Sequence, residues 1–189
     1  MERKVSRQRS VGVVLFVMAA LSACGREPPV PETSTPPATA TSQTAGLVDA
    51  AEDIIAFLHG DLPFDSITTA DSVTLRLAPE GGGDSTRVSR EHLRDRASWS
   101  VRAGSGSDYP FAPPASLTTL TTRAGRHFNC REYPLSSRAP DLAPLPHVGT
   151  RLEPPDAGSC LQTWNVTFVF DPHADHPTLV AVVYDQWEW

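Results

Sequence analysis

The sequence predicts an α+β fold in which helices pack on one face of a mostly antiparallel sheet. Three observations predict it. One amphipathic helical segment begins near residue 47, short alternating segments follow after residue 72, and two long apolar segments end the chain. We expect the last two segments to form a closing β-hairpin and one disulfide to stabilise the domain. The roughly 143 residues from 47 to 189 are enough for a single hydrophobic core.

The first predicted element is an amphipathic helix. Acidic residues occupy one face, and apolar residues recur at helical spacing on the other. The apolar positions are Leu47, Val48, Ala51, Ile54, Ile55 and Leu58. Gly60 and then Pro63 follow in the order that ends a helix.

A strand and a short helix are predicted next. Val73, Leu75 and Leu77 alternate with polar residues, which indicates a half-buried strand. After a glycine-rich loop at 79–84, we expect a short helix over residues 89–97. Two large side chains, Leu93 and Trp99, are expected to face the core. Further short strands are expected near residues 117–122 and 127–129.

The clearest predicted strand pair ends the chain. The first strand places four large apolar side chains on one face, namely Trp164, Val166, Phe168 and Phe170. A connection over 171–177 leads to a second strand over Leu179–Tyr184. Val180, Val182 and Tyr184 are expected to share one face of that strand. We expect the two strands to pair as an antiparallel hairpin.

Four of these pieces together resemble a known fold. The strand 72–77, the loop Gly81-Gly82-Gly83, the helix 89–96 and the hairpin 163–186 resemble the nuclear transport factor 2-like (SnoaL-like) fold. The proline-rich segment 130–160 departs from that pattern. The resemblance implies an α+β architecture that hosts enzymes and non-enzymatic binding modules alike, so it does not assign an activity.

The N-terminus resembles the signal of a bacterial lipoprotein. Basic residues in the first ten positions precede an apolar segment over 11–21, which is too short to span a bilayer as a helix. The segment ends in Leu21-Ser22-Ala23-Cys24, which is similar to a lipobox. The resemblance implies that residues 1–23 are cleaved and that Cys24 carries a diacylglyceryl group. The alternative is an ordinary signal peptide with a cysteine nearby by chance.

A tether is predicted between this anchor and the folded domain. Residues 25–45 are rich in proline, threonine, alanine and serine and hold nothing large enough to build a core. The chain is therefore predicted to comprise a signal (1–23), a lipidated cysteine with a disordered tether (24–46) and one folded domain (47–189). Gly25 follows the cysteine, and enteric inner-membrane lipoproteins tend to have aspartate there. This favours the outer membrane, with the domain facing the periplasm or cell surface.

Charge excludes one class of partner. The whole chain has a net charge of −6, and removal of residues 1–23 leaves 12 arginines against 21 acidic residues. Nucleic acids attract proteins with concentrated positive charge, so a nucleic-acid partner is not expected. The expected partners are the membrane, through the lipid, and an unknown protein or small molecule.

The two remaining cysteines predict a disulfide. With Cys24 assigned to lipid, Cys130 and Cys160 form an even pair in an exported and therefore oxidised chain. The enclosed segment contains six prolines, so we expect it to be poor in regular structure. A redox-active or metal-binding pair is the alternative, but the C-x-x-C spacing is missing.

Two groups of polar residues are candidates for chemistry. Asp171, His173, Asp175 and His176 lie within six residues and supply ligand types that zinc, manganese or nickel accept. The alternative is a polar surface turn, and no recognised metal spacing is matched. His127 and His147 either line a pocket or serve as structural residues.

The sequence contains no recognised catalytic motif. The leading hypothesis is a non-enzymatic, lipid-anchored module of the cell envelope, with no cofactor apart from the lipid on Cys24. The alternative is an envelope hydrolase or other enzyme with a sheet-lined cavity, with or without a metal held at residues 171–176. A third hypothesis is a structural partner in a larger envelope complex.

Overall fold

A computed structural model describes residues 38–78, 83–104, 106–130, 133–156 and 162–185. These residues belong to one compact unit, Pro36–Trp189, and a second unit, Met1–Thr35, lies wholly outside them. The predicted signal, Cys24 and most of the predicted tether therefore lie outside the described residues. The same holds for most of the glycine-rich loop, residues 79–82.

Helix α1 spans Ala38–His59 and begins nine residues before the predicted start. Residues 43–45 are exposed, and burial begins at Gly46 and Leu47, where we expected the core to begin. The packed part acts as a nucleus from which the helix extends, because each added residue gains a hydrogen bond. At the other end, Gly60 has a φ of +100° and its amide donates to the carbonyl of Ala56, so the predicted stop is confirmed.

Strands β1 (Thr69–Leu77) and β2 (Ser85–Ser89) form an antiparallel hairpin. The alternation in β1 is confirmed, since Val73 and Leu75 are fully buried. The predicted helix 89–97 is wrong. Two 3₁₀ turns, His92–Arg94 and Arg96–Ser98, replace it, because the Asp95 side chain between them accepts the amide of Ala97 (3.0 Å) instead of continuing a helix. Leu93 and Trp99 are nevertheless fully buried, as predicted.

The remaining elements complete two sheets. Strands β3 (Ser100–Arg102) and β4 (Asp108–Pro110) pair with each other in a small sheet. The main sheet contains β1, β2 and four further strands, β5 (Thr119–Ala124), β6 (His147–Glu153), β7 (Trp164–Phe170) and β8 (Leu179–Tyr184). A short helix, α2, spans Leu135–Arg138. The strand order is β2-β1-β8-β7-β6-β5, with β1 and β8 parallel and every other pair antiparallel. The fold is therefore mixed α+β with a mostly antiparallel sheet.

The closing hairpin is confirmed, with one change of register. Phe168 pairs with Val182, but Phe170 pairs with Leu179, so a bulge between them leaves Val180 opposite no β7 residue. Val180 is half-buried and does not continue the face of Val182 as predicted. An extra residue shifts the alternation of side chains by one position.

The expectation of little regular structure between Cys130 and Cys160 is wrong at β6, which lies in the interior of the sheet. Pro146 and Pro154 border the strand, and the seven residues between them contain no proline, so its backbone amides are available to both neighbouring strands. The strand predicted at 127–129 is also wrong, because those residues form no ladder.

The sheet is covered on both faces. Val182 packs in the main core with α1, which contributes Ile54 and Phe57, whereas its neighbour Val183 packs in a second cluster with Leu135 of α2. Successive side chains on a strand point to opposite faces, so α1 and α2 lie on opposite faces of the sheet. The expectation that helices cover one face only is therefore wrong. We call the α1 side the inner face and the α2 side the outer face.

Candidate functional site

The outer face is covered by residues 125–130 and 133–146, the described part of the chain between β5 and β6, which we call the outer-face segment. It lies very close to the sheet at Gly149, where an added Cβ would collide with the carbonyl of Arg126. The amide of Gly125 donates to the carbonyl of His147 (2.7 Å). The missing side chain at position 149 therefore lets the backbone of this segment lie directly on β6.

Beneath this segment lies a buried polar cluster formed by His127, Thr167 and Asp185. The His127 Nε2 lies 2.9 Å from Asp185 Oδ2, and its Nδ1 lies 2.7 Å from Thr167 Oγ1. A carboxylate can only accept hydrogen bonds, so the Nε2–H of His127 donates a hydrogen bond to Asp185. The cluster links the outer-face segment to β7 and to the residue that follows β8.

Arg138, at the end of α2, joins the same carboxylate. Its Nε lies 3.2 Å from Asp185 Oδ2, at an angle that makes an ion pair but no hydrogen bond. The guanidinium also lies over the ring of Tyr133, 4.7 Å from the centroid. The Arg138 side chain is 7% exposed, so a buried carboxylate and a buried cation compensate each other here.

Histidine, an acid and a hydroxyl are the residue types of a nucleophilic triad, but burial argues against that chemistry here. The His127 and Asp185 side chains are each 2% exposed, and Thr167 is fully buried within the sheet. A nucleophile has to contact the substrate, and this residue has no exposed surface. We interpret the cluster as structural. His127 also lines the pocket described below, so it fills both roles that the sequence offered as alternatives.

A second polar network holds Arg151 on β6. Its Nε donates to Asn165 Oδ1 (3.0 Å), and its Nη2 donates to the carbonyl of Asn129 (3.3 Å). The guanidinium also lies over the ring of Phe128, 5.0 Å from the centroid. The Asn129 side chain in turn bonds the backbone amide and carbonyl of Tyr133 at 2.9 and 2.6 Å. Each contact restricts the arginine or the loop beside it.

These networks border a pocket with a volume of about 390 Å³, which we call the outer-face pocket. It lies between two parts of the outer-face segment and beside β6. The described residues that line it are Gly125, Arg126, His127, Phe128, Asn129, Tyr133, Pro134, Leu135, Ser136, Ala143, His147 and Arg151. Two arginines and two histidines are among them, and none of these described residues is acidic.

The predicted metal candidates lie elsewhere, in the turn between β7 and β8. His173, Asp175 and His176 are exposed, and Asp171 is half-buried and accepts the backbone amide of His173 (2.8 Å). That hydrogen bond is typical of an aspartate-initiated turn. Within the described ranges, no three His, Cys, Asp or Glu residues are grouped so that they could hold a metal ion.

The same turn borders a second, wider pocket of about 750 Å³ against α1. Its described lining includes Asp171, Asp175 and His176 from the turn and Gln43 and Leu47 from the helix. His173 is absent from that lining. The four candidates therefore do not converge on one point.

The predicted cysteine sites fall mostly outside the described residues. Cys130 is half-buried at the end of the first part of the outer-face segment. Cys24 and Cys160 lie outside the described residues. The lipid attachment and the disulfide both stay predictions.

Sequence analysis missed Arg151, Asn165, Thr167 and Asp185, although one signal could have found them. Strand β8 is apolar at every position, which is typical of a strand that is buried on both faces. Something must then cover the outer face, and the polar residues that alternate along β7 must find partners there. The segment between β5 and β6 is one stretch of chain long enough to supply that cover.

Comparisons with known proteins found no match: no family model, no curated protein and no solved structure is similar to this chain. Among the described helices, none is long and apolar enough to cross a membrane.

Proposed function

We propose that this chain is a lipid-anchored cell-envelope protein whose folded domain binds a small ligand, without catalysis, in the outer-face pocket. The observation that carries the proposal is the pocket itself. Its volume of about 390 Å³ is within the range of small-molecule sites, which is roughly 300–1,000 Å³. Arg151 and Asn129, which line it, are held in place by hydrogen bonds before any ligand arrives.

Burial supports binding over the alternative of an envelope hydrolase. The one described histidine that pairs with a carboxylate, His127, uses both ring nitrogens inside the protein. Its hydroxyl neighbour, Thr167, is fully buried. Neither group is available to activate water or to attack a substrate in this arrangement.

The relationship to the nuclear transport factor 2-like fold is part of the proposal. It is supported by β1 and by the closing hairpin of β7 and β8, whereas two turns replace the helix that the resemblance implies over residues 89–96. The outer-face pocket lies on the opposite side of the sheet from α1. A ligand there would leave the α1-facing core undisturbed.

The anchor is tested by metabolic labelling with an alkyne fatty acid. We expect the wild-type chain to be labelled and Cys24→Ala to accumulate as an unlabelled, unprocessed precursor. Cys130→Ala is the matched control, since it removes a different cysteine and should keep the label. Persistent labelling of Cys24→Ala would refute the anchor.

Ligand binding is tested by ligand-observed NMR with a library of small fragments. We expect fragments that bind the wild-type chain at one shared site to lose binding in Ser136→Trp, which fills the pocket from an exposed lining position. Ser116→Trp places the same side chain on an exposed loop residue outside that lining and should keep binding. Fragments that bind both variants equally contradict the proposed site, and conversion of a fragment to product would favour the hydrolase.

A further inference from the structure

The outer-face pocket differs in charge from the rest of the protein. The chain has a net charge of −6, yet two arginines and two histidines line the pocket without an acidic residue among its described lining. Asp185, beneath the pocket, is already paired with His127 and Arg138. Because His127 is part of that pairing, the positive charge of the pocket comes from Arg126 and Arg151.

The described hydrogen bonds orient the Arg151 guanidinium but use only some of its N–H donors. A guanidinium has five N–H donors, and the two described hydrogen bonds use one on Nε and one on Nη2. Its Nη1 lies 3.9 Å from Glu153 Oε1, which makes an ion pair without a hydrogen bond. Among the described residues, both N–H groups of Nη1 and the second N–H of Nη2 have no hydrogen-bond acceptor. One N–H from each of these two nitrogens can form the two parallel hydrogen bonds by which arginine binds a planar anion.

Two further basic groups line the same pocket. Arg126 is exposed and lies on the outer-face segment near Gly149. The His147 Nδ1 lies 2.8 Å from the carbonyl of Leu145, so it donates there and leaves Nε2 as the second polar atom of the ring. The rings of Phe128 and Tyr133 supply apolar surface beside these groups.

We infer that the outer-face pocket binds a small anionic ligand whose carboxylate or phosphate is held by Arg151, with Arg126 adding charge at the mouth and an apolar part against Phe128 and Tyr133. This inference rests on the proposed binding function and specifies its ligand class. A carboxylate and a phosphate monoester share the chemistry that the guanidinium recognises.

Isothermal titration calorimetry on the full chain in nonionic detergent tests the inference. The anionic probes are benzoate, phenyl phosphate and inorganic phosphate, and benzamide is the neutral counterpart of benzoate. Sodium chloride keeps ionic strength equal throughout, because salt screens exposed charges. We expect at least one anion to bind at one site per chain and at least about tenfold more tightly than benzamide, a difference of about 1.4 kcal/mol.

Three variants test which arginine side chains contribute to anion binding. Arg151→Lys keeps the charge but loses the planar fork, so we expect about tenfold weaker binding of the best anion. Arg126→Gln changes an exposed residue, leaves the described hydrogen bonds intact, and should weaken binding by about threefold. Arg123→Gln is the matched control. It removes one exposed charge from the neighbouring strand β5, outside the described lining, and should change binding less than about twofold.

Equal losses in Arg126→Gln and Arg123→Gln would overturn the inference, because they would indicate nonspecific attraction. Benzamide binding as tightly as benzoate, and disappearing in Ser136→Trp, would overturn the anion specificity but leave the proposed binding function standing. If none of the three anions binds, the inference is wrong, and the fragment experiment decides the binding function separately.

Discussion

Single residues decide how the outer face is covered. Gly149 lets the Arg126 backbone lie directly on β6. Asp185 pairs with two buried side chains of the outer-face segment, His127 and Arg138. One position acts through the absence of a side chain and the other through charge. Neither residue belongs to the inner-face core, so each can be substituted without changing a core side chain.

Gly149→Ala should lower the free energy of unfolding by about 1–3 kcal/mol, because an added methyl in a filled space forces the neighbouring backbone to move. Urea unfolding followed by circular dichroism measures it. Gly46→Ala is the control with the opposite sign, since Gly46 lies in α1 and its added Cβ would meet only Pro177, at 3.9 Å. It should stabilise the protein by about 0.5–1 kcal/mol. Wild-type stability of Gly149→Ala would contradict the close approach of Arg126.

Asp185→Ala should be more severe, at about 3–5 kcal/mol, because it leaves the buried Arg138 without a compensating charge. The same urea measurement applies. Asp175→Ala removes an exposed carboxylate from the turn between β7 and β8 and should stay within about 0.5 kcal/mol of wild type. A similar small effect for both substitutions would show that Asp185 is not held in a buried network.

At the scale of elements, the outer-face segment is fastened to β1 by an ion pair. The Arg76 guanidinium bonds both carboxylate oxygens of Asp141, at 2.6 and 3.1 Å. The hydrogen bonds from Arg76 lower the pKa of the Asp141 carboxyl below its usual 3.8. The strand hairpin at one side of the sheet is thereby linked to the chain that follows α2.

Asp141→Asn should cost up to about 1 kcal/mol near neutral pH, a modest value because the Asp141 side chain is 58% exposed. The folded state has the lower pKa, so the contribution is complete above the unfolded value of 3.8 and is lost as pH falls through the lower folded value. Urea midpoints of both proteins from pH 7 to pH 2 should therefore converge at acid pH.

The control for that pair is Asp65→Asn. Asp65 makes a single hydrogen bond with Arg94 and is 72% exposed, so its removal should have a smaller effect at neutral pH. A constant difference between wild type and Asp141→Asn across the whole pH range would contradict the assigned ion pair.

Elements differed in how well the sequence predicted them. The patterns of α1 and β1 come from burial of one face, so helical spacing and alternation located them, whereas β8 was located by its continuous apolar residues. Strand β2 is exposed along most of its length and exists because it pairs with β1. Strand β6 contains Gly149 and Arg151, which interrupt the apolar pattern that would identify a strand in the sequence. In the structure both residues contact the outer-face segment.

At the scale of the whole molecule, the predicted disulfide between Cys130 and Cys160 would close the segment that contains α2 and β6. Closing a segment of about 31 residues should stabilise the domain by roughly 3–4 kcal/mol. Dithiothreitol should therefore lower the urea midpoint of the wild type and leave that of the Cys130→Ser, Cys160→Ser double variant unchanged. Two titratable thiols in the unreduced, denatured protein would contradict the pairing.

The sequence by itself determined the helix period of α1, its stop at Gly60 and the closing hairpin, and it predicts the export signal and Cys24 anchor, because each is encoded in adjacent or regularly spaced residues. Only the tertiary structure decided what covers the outer face. His127 meets Thr167 and Asp185 across 40 and 58 residues, and Arg151 meets Asn165 through strand register. A local sequence pattern does not show which residues meet across such separations in the chain. The pocket therefore follows only from the tertiary structure, in which the sheet brings its residues together.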